Sequence, residues 1–450
     1  MGKRNTTCRG PLPAPEVRAD DANLTRFAGL VPVIRFMNSV LQLPAELSKV
    51  VDPTKGKRKF HVHLVLFAFL VGALAGTWRL AHLEWLRGDA VVEKFLRLPS
   101  WPVRKVFAGA LASLSDEALK RLSKLVTALG LRPLKGAREV TIDLDSSVVV
   151  SFGEHEGAVF GYCGKGRNRR RHHPLVASVA GPRTVVHADY RDGTAIKETE
   201  TISFLEETLD RVSSTLGEVV VNIRADSGFW SRAVGDWFLA KALPFILAMP
   251  LQPGLKLLIL NTPFQAVEGD ADVEAAEIPG LRLGLDERLR VIVIRRRVHD
   301  PKAPPQGKVI ANDPNWRYQA LITSRAELPV EIWRLYNGRG DCERVFKVAK
   351  HALGMARLIG HDLRANNGAF LLRLLAYNAD ILFQLDAEQK AAEAKREGVR
   401  IGLLARQRRF YNTAGRLLRA AGKWILRVAE NDRVAELFDF YAPELVAASS

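Results

Sequence analysis

The chain has 450 residues, 47% of them hydrophobic and 26% charged, which is enough to bury a large core and to divide into several structural units. Its 66 Lys and Arg against 49 Asp and Glu give a net charge of +17, which favours a polyanionic partner. Cys8, Cys163 and Cys342 lie far apart, which argues against a disulfide framework or a thiolate zinc site.

The first 137 residues have the pattern of helices. Apolar residues recur every three or four positions over residues 24–43 and again after Ser115, which has the sequence of an N-cap, with Gly130 as the stop. The apolar stretch 64–78 is shorter than the roughly 18 residues that span a bilayer. The polar first residues lack the apolar core of a secretion signal and are predicted to be disordered.

We predict that residues 1–137 form a helical DNA-binding region. A Pro-containing turn leads into Arg104 and Lys105 between two predicted helices, which is compatible with a helix-turn-helix. A turn beside two surface cations is also common, and both interpretations stay open.

From residue 138 the pattern changes to β-branched runs separated by turn residues. Strands are predicted at 139–152, 173–181 and 183–193. A helix, a strand, a second helix and a last strand follow up to residue 250. The resulting order is β-β-β-α-β-α-β over residues 138–250.

Residues 251–320 are predicted to form a β-rich insertion. Strand candidates lie at 255–260 ("LKLLIL") and 289–298, and a Pro-rich bend lies at 300–307. The core is expected to resume over 321–385, and 386–450 is predicted to be a basic helical C-terminal region. Its tract from Gly398 to Arg427 has eight Lys or Arg and no Asp or Glu, which predicts contact with a DNA backbone.

Three acids stand at positions that suit chemistry. Asp143 and Asp145 are two residues apart on one strand, so they point to the same face of the sheet. That face is either exposed to solvent or a site for a hard cation such as Mg²⁺. Asp226 ends an apolar strand just before a helix, where ligands gather in open α/β sheets. Capping of that helix explains Asp226 equally well.

The segment "YNGRGDCERVFKVAK" (336–350) places one acid among cations. If it is helical, one arc of roughly 60° holds a phenol, an acid and three cations, namely Tyr336, Arg339, Glu343, Lys347 and Lys350. A solvated face with Glu343 paired to Lys347 is the simpler interpretation. Gly338 and Gly340 each cost a helix about 1 kcal/mol, so the helix could begin only near Asp341.

Taken together, these residues resemble the DDE transposases of bacterial insertion sequences. The segment 336–350 matches the Y-x2-R-x3-E-x6-K signature of one subgroup, and Asp145 is followed by two serines. Residues 157–177 are similar to a strand-to-strand loop of that subgroup, and the glycine-rich, basic segment 161–173 within them is expected to be mobile and to contact DNA. The resemblance covers roughly residues 140–385 and implies an α/β fold, with an RNase H-like mixed-sheet core interrupted by the β-rich insertion and flanked by the helical regions.

The resemblance also implies a mechanism. Asp145, Asp226 and Glu343 would be the catalytic residues and the ligands of two Mg²⁺ ions, for which Mn²⁺ can substitute, with Asp143 the alternative first acid. Tyr336, Arg339, Lys347 and Lys350 would bind DNA. The implied activity is metal-dependent endonuclease cleavage at the element's ends, through a hairpin intermediate, and strand transfer into target DNA.

The implied partners are double-stranded DNA, as terminal inverted repeats and target, and a second copy of the chain in a synaptic complex. A nucleoid-associated protein of the cytoplasm without a membrane partner is expected. Two alternatives remain at this point: an RNase H-like nuclease that does not transfer strands, and a non-catalytic DNA-binding descendant of a transposase.

Overall fold

A computed structural model describes residues 16–53, 59–96, 98–164, 167–299, 308–310, 313–396 and 399–446. The Pro-rich bend at 300–307, the start of the chain that was expected to be disordered, Cys8 and Gly398 lie outside these ranges.

Helices dominate the N-terminal part, in agreement with the sequence pattern. After the short strand β1 (Leu24–Thr25) come α1 (Leu30–Ser39), α2 (Leu43–Val50), α3 (Val62–Leu74), α4 (Ala90–Phe95), α5 (Arg104–Ala112) and α6 (Asp116–Leu131). Ser115 caps α6, since its hydroxyl accepts a hydrogen bond from the Ala118 amide at 3.1 Å. Gly130 does not end α6: a Cβ there would lie 2.0 Å from the Val185 carbonyl oxygen, so glycine lets the helix approach a strand.

The central part forms a mixed sheet. Its elements are β2 (Glu139–Ser146), β3 (Val149–Val150), β4 (Val159–Tyr162), β5 (Asn168–His172), β6 (Leu175–Val179), β7 (Val185–Asp189), α7 (Glu198–Leu216), β8 (Val220–Ala225), α8 (Arg232–Ala240) and β9 (Phe245–Met249). Strand β2 pairs antiparallel with β6 and parallel with β8, which pairs parallel with β9. Apart from the small strands β3–β5, the elements follow the predicted β-β-β-α-β-α-β order.

Residues 253–323 widen this same sheet. They form α9 (Pro253–Leu260), β10 (Gln265–Val267), β11 (Asp270–Pro279), β12 (Arg290–Arg297), β13 (Lys308–Ile310) and β14 (Asp313–Thr323). The strand order β10-β11-β12-β14-β9-β8-β2-β6-β7 joins them to the central strands through β9. The strand predicted at 255–260 is wrong, because Pro253 starts a helix there and a short, mostly apolar run does not distinguish helix from strand.

The C-terminal part is helical except for one hairpin. It contains α10 (Pro329–Asn337), α11 (Gly340–Ala352), α12 (Leu363–Glu393), α13 (Leu403–Arg406), β15 (Gly415–Ala420), β16 (Lys423–Val428) and α14 (Asp432–Tyr441). The helical prediction for 386–450 is therefore wrong over 415–428. Ala421 and Gly422 have φ of 47° and 76° and form a two-residue turn, whose twist suits a hairpin.

Two large hydrophobic cores hold the protein together. One unites the N-terminal helices with α11, α12 and α14, and the other lies between the sheet and helices α7, α8 and α9. Helix α12 has 31 residues and, by length and composition alone, could cross a membrane. Because 89% of its most apolar window is buried inside the protein, α12 is instead the centre of the first core.

Candidate active site

Asp143 is closed off by a buried ion pair. The carboxylate is 1% exposed, and its two oxygens accept hydrogen bonds from Arg224 Nε at 2.6 Å and Arg224 Nη2 at 2.8 Å. Burial raises the pKa of Asp143, and Arg224 opposes that rise. A Cβ on Gly338 would lie 2.6 Å from Arg224 Nη1, so the glycine makes room for this arginine. Asp143 thus has a structural partner, and we assign it no chemical role.

Asp145 lies at the end of β2 beside a different arginine. Its Oδ1 accepts a hydrogen bond from the Ser146 amide at 2.8 Å and lies 3.2 Å from Arg339 Nη2. Arg339 Nη1 lies 3.6 Å from Glu343 Oε1. The Arg339 side chain is only 7% exposed, and its Nε has no hydrogen-bond partner. This buried guanidinium therefore brings together Asp145 and Glu343, which are far apart in the sequence.

Asp226 is near enough to influence the same group. The pKa of Asp145 is raised to about 6, chiefly by burial; Arg339 opposes the rise, and the charges of Asp226 and Glu343 add to it. Asp226 does not cap α8, because Ser231 does so through a 3.2 Å hydrogen bond from the Val234 amide. Within the described ranges, no three Asp, Glu, His or Cys side chains are close enough to hold one metal ion.

Residues 336–350 belong to two helices instead of one. Tyr336 is in α10, Arg339 precedes α11, and Glu343, Lys347 and Lys350 lie within α11, so the single-helix arc applies only to the last three. Burial raises the pKa of Tyr336 to about 12, with Arg339 opposing and the three acids adding to the rise. The Tyr336 hydroxyl is thus neutral near pH 7 and lies close enough to Asp145, Asp226 and Glu343 to feel their charges.

The two lysines differ in exposure. Lys347 is exposed, whereas Lys350 is partly buried. Burial lowers the pKa of Lys350, and the charge of Asp145 opposes that shift. Lys350 thus reaches the neighbourhood of Asp145 from the C-terminal half of α11.

The segment 161–173, expected as a loop, contributes strands. Strands β3, β4 and β5 form a small sheet in the order β3-β5-β4, here named the ribbon. Lys165 and Gly166 lie outside the described residues. Phe160 and Tyr162 on the ribbon are 68% and 59% exposed. Exposed arginines stand beside them, namely Arg167, Arg169 and Arg170.

The last strand of the ribbon, β5, ends at His172, beside the site. His173 Nε2 lies 3.1 Å from the Ser146 hydroxyl, next to Asp145. Burial, followed by the charges of Arg171 and Arg191, lowers the pKa of His173 to about 4, so this imidazole is neutral near pH 7. Sequence reasoning missed this contact; the signal was the adjacency of His173 to the basic run.

Comparisons with known proteins give a family and one similar structure. A family model described as "Transposase DDE domain group 1" matches residues 14–445. Among curated proteins the comparison finds no match. A solved structure described as a cryo-EM structure of the piggyBac transposase synaptic complex with hairpin DNA is similar, with a TM-score of 0.44 and 11% identity, covering 86% of this chain and 81% of that chain.

Proposed function

Because this chain belongs to the family of transposase DDE domains of group 1, we propose that it cleaves DNA at the ends of an insertion sequence and joins those ends to target DNA. The observation that carries this proposal is the meeting of Asp145 and Glu343 on the buried guanidinium of Arg339. The match to the Y-x2-R-x3-E-x6-K signature supports placing the chain in that bacterial subgroup, with an RNase H-like core.

Asp145, Asp226 and Glu343 are the proposed ligands of two Mg²⁺ ions, for which Mn²⁺ can substitute. Carboxylate oxygens are the ligands that Mg²⁺ prefers, so the donor set fits the metal. Each of the three has at least one oxygen without a hydrogen-bond donor among the described residues, and the Glu343 side chain is 72% exposed. Bound metal ions would stabilise charge on the attacking and leaving oxygens of the phosphodiester.

The chain's own cations are proposed to hold the DNA. Lys350 and Lys347 project from the helix that carries Glu343, so a phosphate beside that carboxylate lies within their reach. Arg339 is fixed by burial, and a fixed guanidinium loses little conformational entropy when it binds phosphate. The neutral hydroxyl of Tyr336 can donate a hydrogen bond to a phosphate oxygen.

The ribbon and the net charge extend the proposed contact beyond the site. Arginines and exposed aromatic rings along β4 and β5 suit a nucleic acid strand that leaves the neighbourhood of Asp145. The proposed partners are terminal inverted repeats, target DNA and a second copy of the chain, in the bacterial cytoplasm at the nucleoid.

A cleavage assay tests the proposal. The substrate is DNA carrying the inverted repeats that flank the gene, incubated with Mg²⁺ or Mn²⁺. We expect Asp145→Asn, Asp226→Asn and Glu343→Gln each to abolish nicking with little change in DNA binding, because each removes a metal ligand and no phosphate contact. Asp341 is an acid on the same helix as Glu343 and pairs with Arg183 at 3.0 Å. Asp341→Asn is therefore the matched control, and this variant should still nick DNA.

The products separate the proposal from its alternatives. Nicked ends that never join to target DNA would identify a nuclease instead of a transposase. Specific binding without cleavage by the wild type in either metal would identify a non-catalytic DNA-binding protein. Normal nicking by any one of the three variants would remove that residue from the site.

A further inference from the structure

Arg224 contacts the elements that carry the acids of the candidate active site. It lies on β8, two residues before Asp226, and its side chain is buried. Its Nε and Nη2 donate to Asp143 on β2, and its Nη1 donates to the Leu335 carbonyl oxygen at 2.5 Å. Leu335 lies in the last turn of α10, where carbonyl oxygens lack a partner within the helix. One buried guanidinium therefore joins two strands and a helix.

The ion pair between Asp143 and Arg224 lies next to the first two acids. Strands β2 and β8 are parallel neighbours, and their register sets Asp143 opposite Arg224. Two residues further along the chain are Asp145, on β2, and Asp226, just after β8. The ion pair therefore holds the two strands together immediately before the positions of the two acids.

The contact with Leu335 holds the support of the third acid. Helices α10 and α11 meet at a corner that contains Arg339, four residues after Leu335. Arg339 Nη2 lies 3.2 Å from Asp145 Oδ1, and Arg339 Nη1 lies 3.6 Å from Glu343 Oε1. A shift of this corner relative to β2 would change both distances at once. The contact of Arg224 with Leu335 opposes such a shift.

We infer that Arg224 is a positioning residue, which sets the distances among Asp145, Asp226 and Glu343 by holding β2, β8 and the corner between α10 and α11 together. This inference rests on the proposed function, in which the three carboxylates share two metal ions about 3.5–4 Å apart. Arg224 acts through Asp143 and a backbone carbonyl, so it is not a catalytic residue. Lysine cannot replace it, because an ammonium group lacks the planar fork that reaches two partners in different directions.

Two variants break the contact with Leu335 from opposite sides. Arg224→Lys keeps a charge beside Asp143 and removes the fork. Gly338→Ala keeps every charge, but its Cβ would lie 2.6 Å from Arg224 Nη1, so the guanidinium has to move away from the Leu335 carbonyl. Gly338 has a φ of −58°, so its backbone accepts alanine without strain.

Metal binding and nicking by the full chain test the inference. Mn²⁺ binding without DNA is followed by the EPR signal of free Mn²⁺, and nicking is measured at saturating DNA. We expect each variant to weaken Mn²⁺ binding and to slow nicking by about tenfold or more, because a misplacement of about 1 Å can cost about 100-fold in rate. DNA affinity should not change. The double variant should be no worse than the worse single variant, since both changes break one contact.

Gly340→Ala is the matched control. Gly340 is the other glycine of the segment 336–350, and a Cβ there meets nothing within 4 Å. This variant should bind Mn²⁺ and nick DNA like the wild type. Melting temperatures identify conditions in which every variant is folded. A merely structural role for Arg224 would lower the melting temperature and leave the Mn²⁺ affinity and nicking rate of the folded protein unchanged.

That last outcome would overturn the inference and leave the proposed function intact. The inference also fails if the effects of Arg224→Lys and Gly338→Ala multiply in the double variant, if Gly340→Ala loses as much as they do, or if the wild type binds no Mn²⁺. A wild type that binds Mn²⁺ without nicking DNA would refute the proposed function. Weaker Mn²⁺ binding by the two variants would then still support the positioning role.

Discussion

Asp143 and Asp145 share one face of β2, and their arginine partners give them different roles. Arg224 holds both oxygens of Asp143, whereas Arg339 contacts one oxygen of Asp145 and leaves the other without a donor. The alternation of side chains along a strand predicts that the two acids are neighbours. It cannot predict which one is neutralised, because Arg224 belongs to another strand.

We predict opposite phenotypes for the two alanine variants. Asp143→Ala leaves the Arg224 charge buried and unpaired, which should lower the free energy of unfolding by about 3–5 kcal/mol. Asp145→Ala should lose less stability, since Arg339 still faces Glu343 at 3.6 Å, but should lose nicking. Urea denaturation with nicking assays checks both; a fully stable Asp143→Ala protein would show that the pair with Arg224 contributes nothing.

At the residue scale, the sequence predicted candidate site residues more readily than the side chains that contact them. Glu343 was singled out by its place in a signature, and Asp226 by its place after a strand. In the structure the charges of both acids raise the pKa of Asp145. The contact of Arg224 with the Leu335 carbonyl oxygen has no sequence signal at all, because the two residues are 111 positions apart and meet only when the strand and the helix pack together.

At the scale of elements, the fold pairs some cations of the basic tract with acids and leaves the others exposed, several of them on the hairpin β15–β16. Three of the tract's eight cations are already paired: Arg406 with buried Asp380, Arg400 with Glu388 at 3.2 Å, and Arg416 with Asp21 at 3.0 Å. The others are exposed without a carboxylate partner among the described residues, namely Arg408, Arg409, Arg419, Lys423 and Arg427.

We predict that the unpaired cations of the hairpin contribute to DNA affinity by neutralising phosphates. Replacing Arg419, Lys423 and Arg427 together by Ala should reduce the slope of log K against log salt by up to about 3, since each phosphate that a cation neutralises adds about 0.9 to that slope. Arg416→Ala, on the same hairpin but already paired, is the control and should change the slope less. If the triple variant's slope equals that of the wild type in a salt titration, the hairpin does not touch DNA.

How well an element was predicted depended on its length and its periodicity. The long strands β2 and β12 and helix α6 have clear patterns, whereas the hairpin was missed because Ala421 is an unusual residue at positive φ. Helix α9 was missed because an apolar run of strand length carries no period. Gly130 looked like a helix stop, and only the tertiary approach to Val185 explains it.

Across the whole molecule, the structural cores do not follow the order of the chain. Helix α12, which follows the acids in sequence, packs against α3, α5 and α6, which precede them. The strands from residues 270–323 share one sheet with β9, β8 and β2. The regions predicted at 1–137 and 386–450 therefore share one core, and the region predicted at 251–320 shares one sheet with the central strands.

We predict that the N-terminal helices cannot be removed from the rest. A chain of residues 138–450 would expose the apolar side of α12 that α3, α5 and α6 cover, so it should aggregate or be recovered only as insoluble protein. Deletion of residues 1–15 keeps every described contact and serves as the control. Gel filtration separates the outcomes: a soluble, monodisperse 138–450 fragment would contradict the shared core.

The buried guanidinium of Arg339 also has a consequence for how the protein is made. It stands between Asp145 and Glu343 and offsets their mutual repulsion. A zinc finger needs its metal in order to fold, but these carboxylates bring their own counter-ion. We therefore expect folding to be independent of the proposed metal binding, so a chain synthesised or purified in the presence of a chelator should reach the same structure.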